Sequence, residues 1–325
     1  MADNLINQLS SESLKRLFAE QLISWDVARN NYKSLEKVSV KELYIDGFLY
    51  RVQFNPARIF SSSAKVDNAS IQARRCFLCG ENRPQVQKGL IYRHSSRPSE
   101  EFNVLINPFP IFPRHLTIPS AEHREQLIVG NVKLMCALAK ELQEYTLFYN
   151  GPKCGASAPD HFHFQAGNKG FLPLEHWYGK VKREHISQNG NSNIWRVLEG
   201  VYGTIQVESD SPDFINSVIT ELISSDDLSA GDTEPMLNLL CWYRDEQWTL
   251  HIFIRKKHRP DCYYAQGEEN ILISPAAVDL GGTFITPLEK DFIKICESDI
   301  RSILKQVCIS EGELSVIANK LKSIM

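Results

Sequence analysis

The spacing of apolar residues changes between helical and strand periods along the chain. Within residues 9–32, leucine, phenylalanine and isoleucine recur at helical spacing, which predicts one or two helices. Residues 43–55 alternate between apolar and polar side chains around Asp46-Gly47, a dipeptide typical of tight turns. This pattern predicts a β-hairpin. Apolar stretches on either side of residues 244–247 predict a second hairpin over residues 236–255.

Shorter apolar runs predict the remaining elements. Thr286 followed by Pro287 is typical of a helix start, because threonine can cap the first N–H groups and proline fits the first helical position. Helices are expected at 132–145, 213–224, 286–305 and 310–324. Strands are expected at 89–92 and 102–106, around His115, at 147–150 and within 194–207, with short strands or extended pieces at 271–278 and 281–285. Both halves thus combine helices with antiparallel strands.

Residues 150–165 carry the most informative chemistry. A turn of small residues leads directly into His161-x-His163-x-Gln165. In an extended strand these three side chains project to one face, while the intervening phenylalanines point into the core. Two imidazoles and an amide beside a Gly/Ser loop suit phosphate chemistry, because an imidazole can attack phosphorus while the amide and loop N–H groups hold its oxygens. The alternative is an ordinary half-buried strand that carries two histidines.

A Cys-x-x-Cys motif is formed by Cys76 and Cys79. Two thiolates at this spacing can bind one tetrahedral Zn²⁺ if further ligands come from elsewhere in the chain. A redox pair or two unrelated core cysteines are the alternatives. The other six cysteines are scattered singly, which is typical of reduced thiols in a cytoplasmic protein rather than of a disulfide framework.

Composition bounds the class of protein. The chain has 325 residues, enough for one large domain or two smaller ones, and 43% of them are hydrophobic. The net charge is −3, without a basic run that would favour nucleic acid, and no apolar run reaches the length of a transmembrane helix. The first eight residues lack a basic segment followed by an apolar one, so no secretory signal is expected.

A second stretch, residues 113–123, makes the pattern more specific. Pro113, His115, Pro119 and His123 precede a predicted helix, a strand that ends in Asn, and then the His-x-His strand. Together these motifs resemble the histidine-triad superfamily of nucleotide hydrolases and transferases. Gln165 stands where hydrolases of that superfamily usually carry a third histidine. This resembles the galactose-1-phosphate uridylyltransferase branch, which includes diadenosine tetraphosphate phosphorylase and GDP-L-galactose phosphorylase.

The resemblance implies an architecture. We expect an α+β fold in which a histidine-triad-like antiparallel sheet is flanked by helices, in two related halves. Residues 1–205 would form the catalytic half with the Cys-x-x-Cys motif, and residues 206–325 a second, degenerate half without the histidine pair. The resemblance also implies a structural Zn²⁺ held by Cys76, Cys79, His115 and His161.

The resemblance further implies a role for each site residue. His163 would be the nucleophile that forms a nucleotidyl-imidazole, and Gln165 would bind a non-bridging phosphate oxygen. His161 would orient the site or bind the metal. Asn107 and Phe109 would contact the base. The remaining phosphate-binding residues are expected to be Asn150, Lys153, Gly155, Ala156 and Ser157.

Some of these roles have alternatives. Asn150 precedes a glycine and is also typical of a turn. Lys153 can equally be a solvated surface residue. Asp160 is an extra residue before His161 relative to uridylyltransferases, which affects the role of Ser157. The basic run at residues 255–259 can hold a distal phosphate or form a solvated face.

The function implied is transfer of a nucleoside monophosphate from a nucleotide sugar or dinucleoside polyphosphate through a covalent nucleotidyl-histidine. The acceptor would be inorganic phosphate or a sugar phosphate. A nucleotide hydrolase and a zinc-stabilised nucleotide-binding protein without turnover are the alternatives. We expect a cytoplasmic monomer or weak homodimer that contacts neither nucleic acid nor membrane.

Overall fold

The computed structural model describes residues 9–200, 202–224, 228 and 233–324. The first eight residues, where no secretory signal was expected, lie outside this range. The strands are β1 Ser39–Ile45, β2 Phe48–Phe54, β3 Gly89–Tyr92, β4 Phe102–Ile106, β5 His115–Pro119, β6 Tyr145–Asn150, β7 His163–Asn168, β8 Arg183–Asn189, β9 Ser192–Val197, β10 Thr204–Ser209, β11 Leu237–Arg244, β12 Gln247–Ile254 and β13 Thr283–Thr286. The helices are α1 Ser11–Ser24, α2 Asp26–Leu35, α3 Ile59–Ser62, α4 Asn68–Gln72, α5 Val132–Glu141, α6 Leu174–Trp177, α7 Pro212–Ile223, α8 Asp261–Tyr264, α9 Ala277–Leu280, α10 Glu289–Lys294, α11 Glu297–Val307 and α12 Glu311–Leu321. The α+β prediction is confirmed.

Ten strands form one antiparallel sheet in the order β3-β4-β5-β7-β6-β11-β12-β10-β9-β8. The first five of these strands, β3–β7, and the next five, β8–β12, have the same order when each set is counted from its own outer edge of the sheet: first, second, third, fifth, fourth. Each set also has a helix between its third and fourth strands, α5 in the first set and α7 in the second. Strands β6 and β11 join the two sets edge to edge, with Asn150 opposite Asn238. This repeated order gives the two halves a related topology that is not visible in the sequence. The division at residue 205 stays a prediction.

The two faces of the large sheet are covered differently. Helices α1, α2, α5, α7 and α12 contribute side chains to the core on one face. The other face packs against a three-stranded sheet of order β1-β2-β13 and against α11. Because strand side chains alternate, Phe162 and Phe164 enter the helix-covered core while Phe148 and Leu240 enter the other. The candidate site lies on the second face.

Several predicted boundaries differ from the observed ones. Thr286 ends β13, and its hydroxyl donates to the Gln53 carbonyl instead of capping a helix. The helix expected at 286–305 is two helices, α10 and α11, separated at Ile295-Cys296, where an extended backbone starts a new helix. Helix α5 ends at Glu141 because Tyr145 already begins a strand of the core. Within the described part of the chain, no helix is both long and apolar enough to span a bilayer.

Candidate active site and thiol–imidazole cluster

Strand β7 places His163 and Gln165 in the wall of a cavity of about 860 Å³. The flanking Phe162 and Phe164 are fully buried on the opposite face, as the alternation predicts. His161 lies before the first residue of the strand, and its side chain turns towards the Cys-x-x-Cys motif instead of the cavity. The prediction that all three polar side chains share one face is therefore corrected, because only His163 and Gln165 do so.

His163 has one occupied and one available ring nitrogen. Its Nδ1 lies 2.8 Å from the carbonyl oxygen of His161, which requires that Nδ1 carry the proton and donate. Nε2 therefore holds the lone pair, and no described residue is hydrogen-bonded to it. Burial lowers the pKa of His163 to about 4, and the nearby His161 carbonyl opposes this shift. The imidazole is thus neutral near pH 7, with a nucleophilic nitrogen available in the cavity wall.

Gln126 fixes the strand at His163. The backbone N–H of His163 donates to Gln126 Oε1 at 2.7 Å, and Gln126 Nε2 lies 3.0 Å from the carbonyl oxygens of both His163 and Asn150. This fully buried amide replaces the ladder hydrogen bonds beyond the last paired residues of β6 and β7, Phe148 and Gln165. The two strands can therefore separate at the cavity without leaving backbone groups unpaired. No sequence motif marked Gln126.

Gln165 is oriented by its neighbours. His115 Nε2 lies 3.1 Å from Gln165 Oε1, and His115 Nδ1 accepts from the Ile111 N–H at 3.2 Å, so the His115 proton is on Nε2. Asn107 Nδ2 also lies 3.5 Å from the same Gln165 oxygen. Because protein donors already occupy the Gln165 oxygen, only its NH₂ group is available to a ligand, and no described residue accepts a hydrogen bond from that group. The site thus contains an amide donor that lines the cavity.

Asn150, at the end of β6, has the same arrangement. Its Oδ1 accepts from Asn238 Nδ2 at 2.8 Å and from the Ala277 N–H at 2.9 Å. Its Nδ2 has no acceptor among the described residues, and Asn150 lines the cavity. Asn150 is therefore more than a turn former. Its amide, like that of Gln165, has an oxygen held by protein donors and an NH₂ group left for another acceptor.

The small residues after Asn150 pack closely against the C-terminal part of the chain. Gly155 has φ +86°, and a Cβ there would lie 2.7 Å from the Ala276 Cβ. Gly155 and Ser157 line the cavity, whereas Ala156 is buried at 3% exposure. Lys153 is exposed and is not among the described residues that line the cavity. The turn thus brings the predicted phosphate-binding loop at residues 155–157, called the cradle below, to the cavity but leaves Lys153 outside it.

The turn at residues 107–111 forms another part of the wall. Asn107 and Phe109 both line the cavity. The Asn107 amide is used within the protein, because its Oδ1 accepts from the Phe109 N–H at 2.9 Å and its Nδ2 donates to Thr117 at 2.9 Å. Asn107 therefore holds the turn in shape, and the turn presents the Phe109 ring to the cavity.

Cys76, Cys79, His123 and His161 form a compact group whose ligand atoms all lie within 4.8 Å of one another. His161 Nδ1 lies 3.3 Å from the Cys76 sulfur, and His123 Nδ1 lies 3.2 Å from the Cys79 sulfur. On its other side, His161 Nε2 lies 2.9 Å from the carbonyl oxygen of Ser120, which orients Nδ1 towards the thiols. Two thiols and two imidazoles are a donor set that suits a tetrahedral metal ion.

His115 is not part of this group, and the predicted ligand set is corrected. Its ring is fully buried beside Phe112 and bonded to Ile111 and Gln165, so neither nitrogen is available to a metal. His123 takes that place. It belongs to the same 113–123 motif, but the chain leaves β5 after Pro119 and turns His123 towards the Cys-x-x-Cys motif.

Asp160 and the basic run at residues 255–259 both make contacts within the protein that the sequence did not indicate. Asp160, the extra residue before His161, forms an ion pair with Arg74 and so joins the cradle loop to the segment before Cys76. In the basic run, Arg255 and Arg259 are buried at 4% and 9% exposure and bonded to neutral protein groups. The two arginines therefore do not form a solvated face, and every N–H of the Arg255 guanidinium already has an acceptor within the protein.

Comparison with known proteins agrees with this fold. A model for a domain of unknown function, DUF4922, matches residues 17–168. No curated protein sequence matches the chain. Among solved structures, the chain is similar to yeast Ap4A phosphorylase Apa2 in complex with Ap4A, with a TM-score of 0.61 and 16% identity over 93% of this chain and 99% of that one. The same enzyme in complex with AMP gives a TM-score of 0.53 and 15% identity over 89% and 96% of the two chains. The chain therefore has an Ap4A phosphorylase-like fold.

Proposed function

We propose that this protein is a nucleotidyltransferase or phosphorylase that transfers a nucleoside monophosphate through a covalent bond to His163. The donor substrate is a dinucleoside polyphosphate or a nucleotide sugar, and the acceptor is inorganic phosphate or a sugar phosphate. One observation carries the proposal: the amide oxygens of Asn150 and Gln165 are both held by protein donors, so two NH₂ groups and the His163 Nε2 lone pair line one cavity. Donors without acceptors suit a phosphate group.

The first step forms a P–N bond. The lone pair on His163 Nε2 attacks the α-phosphorus, and the bond from this phosphorus to the bridging oxygen breaks, so the electron pair leaves with the departing phosphate. The Nδ1 proton stays on the ring and continues to donate to the His161 carbonyl, which stabilises the positive charge that develops on the imidazole. In the second step an acceptor oxygen attacks the same phosphorus and the P–N bond breaks, which restores His163.

The amides stabilise charge on the phosphate during both steps. Asn150 Nδ2 and Gln165 Nε2 donate to non-bridging oxygens, and the Ser157 hydroxyl adds a donor from the cradle. Gln165 cannot change its charge, so it supplies no proton to the leaving group. This is sufficient for a phosphate leaving group, which departs as an anion, and it suits reversible transfer.

Phe109 is the proposed contact for the nucleobase, and Asn107 holds the turn that presents its ring. An aromatic ring can stack on any base, which is why the site chemistry leaves the base and sugar open. The Ap4A phosphorylase-like fold supports a nucleotide substrate, since the yeast enzyme was solved with Ap4A and with AMP.

We also propose that Cys76, Cys79, His123 and His161 hold a structural Zn²⁺. The metal would fix His161, whose carbonyl accepts from His163, and so order the start of the catalytic strand. It takes no part in the transfer. None of the eight cysteines forms a disulfide, which supports the proposed cytoplasmic location, and a monomer or weak homodimer remains the proposed assembly.

The test is a panel of nucleotide sugars and dinucleoside polyphosphates, each with and without inorganic phosphate and a sugar phosphate. The proposal expects cleavage of at least one donor that depends on an acceptor, with a product in which the nucleoside monophosphate is joined to that acceptor. Cleavage that needs only water would favour the hydrolase. Tight binding without cleavage of any donor would favour the nucleotide-binding protein.

A further inference from the structure

Arg255 is a buried cation that forms no direct ion pair with a described residue, although the buried carboxyl of Asp279 interacts with it electrostatically. Its side chain is 4% exposed, and no carboxylate of a described residue lies within ion-pair distance of it. A guanidinium has five N–H donors, and here each has a neutral acceptor. The acceptors are the carbonyl of Val307 at 3.2 Å from Nε, Asn238 Oδ1 at 2.7 Å and the Pro275 carbonyl at 3.0 Å from Nη1, and the carbonyls of Lys257 at 3.0 Å and His258 at 2.8 Å from Nη2.

One of these acceptors connects Arg255 to the cavity. Asn238 accepts from Arg255 through Oδ1, and its Nδ2 donates to Asn150 Oδ1 and to the Cys154 carbonyl, both at 2.8 Å. Asn150 then has only its Nδ2 left, and Asn150 lines the cavity. Hydrogen bonds thus lead from a buried cation through two amides to an open donor.

The direction of both amides is fixed by groups that cannot reverse their roles. Arg255 can only donate and the Cys154 carbonyl can only accept, so the oxygen and nitrogen of Asn238 have one arrangement. The Ala277 N–H can only donate, so the atom of Asn150 that it contacts is the oxygen. The side-chain atom of Asn150 that has no partner among the described residues is therefore the nitrogen, Nδ2.

We propose that Arg255, Asn238 and Asn150 form a relay by which the second set of strands aims a hydrogen-bond donor at the transferred phosphate. Asn238 and Arg255 are positioning residues, because they act through Asn150. The inference rests on the proposed function, since it needs a phosphate in the cavity. A cation at one end of a hydrogen-bonded chain polarises each link, which strengthens the final donor. The degenerate half would thus orient the catalytic half across the β6–β11 junction.

Asn238→Asp tests the relay by removing its middle donor. The new carboxylate has nearly the same shape and can pair with Arg255, which favours a folded protein. It cannot donate, so Asn150 Oδ1 loses one of its two donors and faces a carboxylate, and only the Ala277 N–H still holds the Asn150 amide in its original direction. Asn168→Asp is the matched control, because it makes the same change on β7 and keeps the acceptor that bonds the Arg114 N–H.

The readout is the affinity for AMP, GMP, CMP and UMP compared with that for the matching nucleosides, measured by calorimetry. For the monophosphate that binds the unaltered protein best, Asn238→Asp should weaken binding by about 10- to 100-fold, because the Asn150 donor to a charged group is no longer polarised and firmly oriented, and a carboxylate lies behind it. Nucleoside binding should not change. Asn238→Leu, which removes the donor without adding charge, should cause a smaller loss, and Asn168→Asp should cause none.

Equal losses for monophosphate and nucleoside in Asn238→Asp, or no loss for either, would overturn the relay while leaving the proposed function in place. If the unaltered protein bound no monophosphate more tightly than its nucleoside, the proposed function would fail and the relay with it. If Asn238→Asp did not fold, Asn238→Leu would decide, because the relay requires a loss confined to the monophosphate.

Discussion

Nε2 of His115 lies 3.1 Å from Oε1 of Gln165. His115 belongs to the first histidine-bearing strand, β5, and Gln165 to β7, the strand that carries His163. Burial beside Arg58 lowers the pKa of His115 to about 3, so its ring is neutral and keeps one donor and one acceptor. The histidine that the sequence assigned to a metal thus orients the Gln165 amide.

His115→Phe should reduce transfer by about fivefold to tenfold in kcat/KM, because Gln165 loses a donor that holds its amide direction. His115→Gln should recover part of the loss, since glutamine can donate and accept. Steady-state kinetics on the best substrate of the panel measures both variants. Unchanged kinetics in His115→Phe would show that Gln165 needs no orienting partner.

The metal assignment predicts different outcomes for two histidines of one motif. His123→Ala should lower zinc content well below one equivalent and reduce the melting temperature, because a ligand is lost. His115→Phe is the control and should retain zinc. Elemental analysis of the purified variants decides between them. Zinc loss in His115→Phe with retention in His123→Ala would restore the ligand set expected from the sequence.

Gly155→Ala should destabilise the protein and distort the cradle. The left-handed backbone at φ +86° costs an L-residue about 1–2 kcal/mol, and the new Cβ would also meet Ala276 at 2.7 Å. Gly47→Ala is the matched control, since Gly47 has φ +84° and nothing within 4 Å of an added Cβ. Urea unfolding should give a larger loss of unfolding free energy for Gly155→Ala than for Gly47→Ala. Equal losses would mean that the cradle can move away from Ala276.

Glu234 predicts a pH dependence of stability. Burial raises its pKa from 4.5 to about 7, although the Tyr149 hydroxyl and the Ile128 N–H bond to it. The folded state therefore holds a proton that the unfolded state has already lost. Stability contributed by this proton is fully present below pH 4.5 and is lost as the pH rises towards 7, by about 3 kcal/mol.

Glu234→Gln removes this titration while keeping an acceptor for the Ile128 N–H. The difference in unfolding free energy between the two proteins should therefore change between pH 4.5 and pH 7 in favour of the glutamine variant. Denaturant unfolding at several pH values measures it. Parallel stability curves would show that the Glu234 carboxyl has an ordinary pKa.

Local sequence patterns correctly predicted features of the fold and site that depend only on residues close together in the chain. Strand alternation placed His163 and Gln165 on one face, and the Asp46-Gly47 turn lies between β1 and β2 as predicted. Strand β8 was missed because Arg183–Asn189 is largely polar and forms the edge of the sheet, where no apolar face marks a strand.

Contacts between distant segments could not be predicted in the same way. Gln126 lies in an irregular segment outside every motif, and the Asn238-Leu-Leu stretch of β11 indicates a strand without indicating which residues Asn238 contacts. His123 and His115 are equally good ligands by residue type, and only the path of the chain after β5 separates them. These residues act through sheet register and loop path, which depend on the whole fold.

The proposed function requires that His163 become covalently nucleotidylated. The direct measurement is trapping with a substrate labelled on the α-phosphate, followed by denaturation and peptide mapping. We expect an acid-labile, base-stable phosphoramidate on His163. His163→Gly should carry no label, abolish turnover and retain its zinc, because His163 lies outside the metal group. A label on another residue, or full turnover by His163→Gly, would rule out covalent transfer through His163.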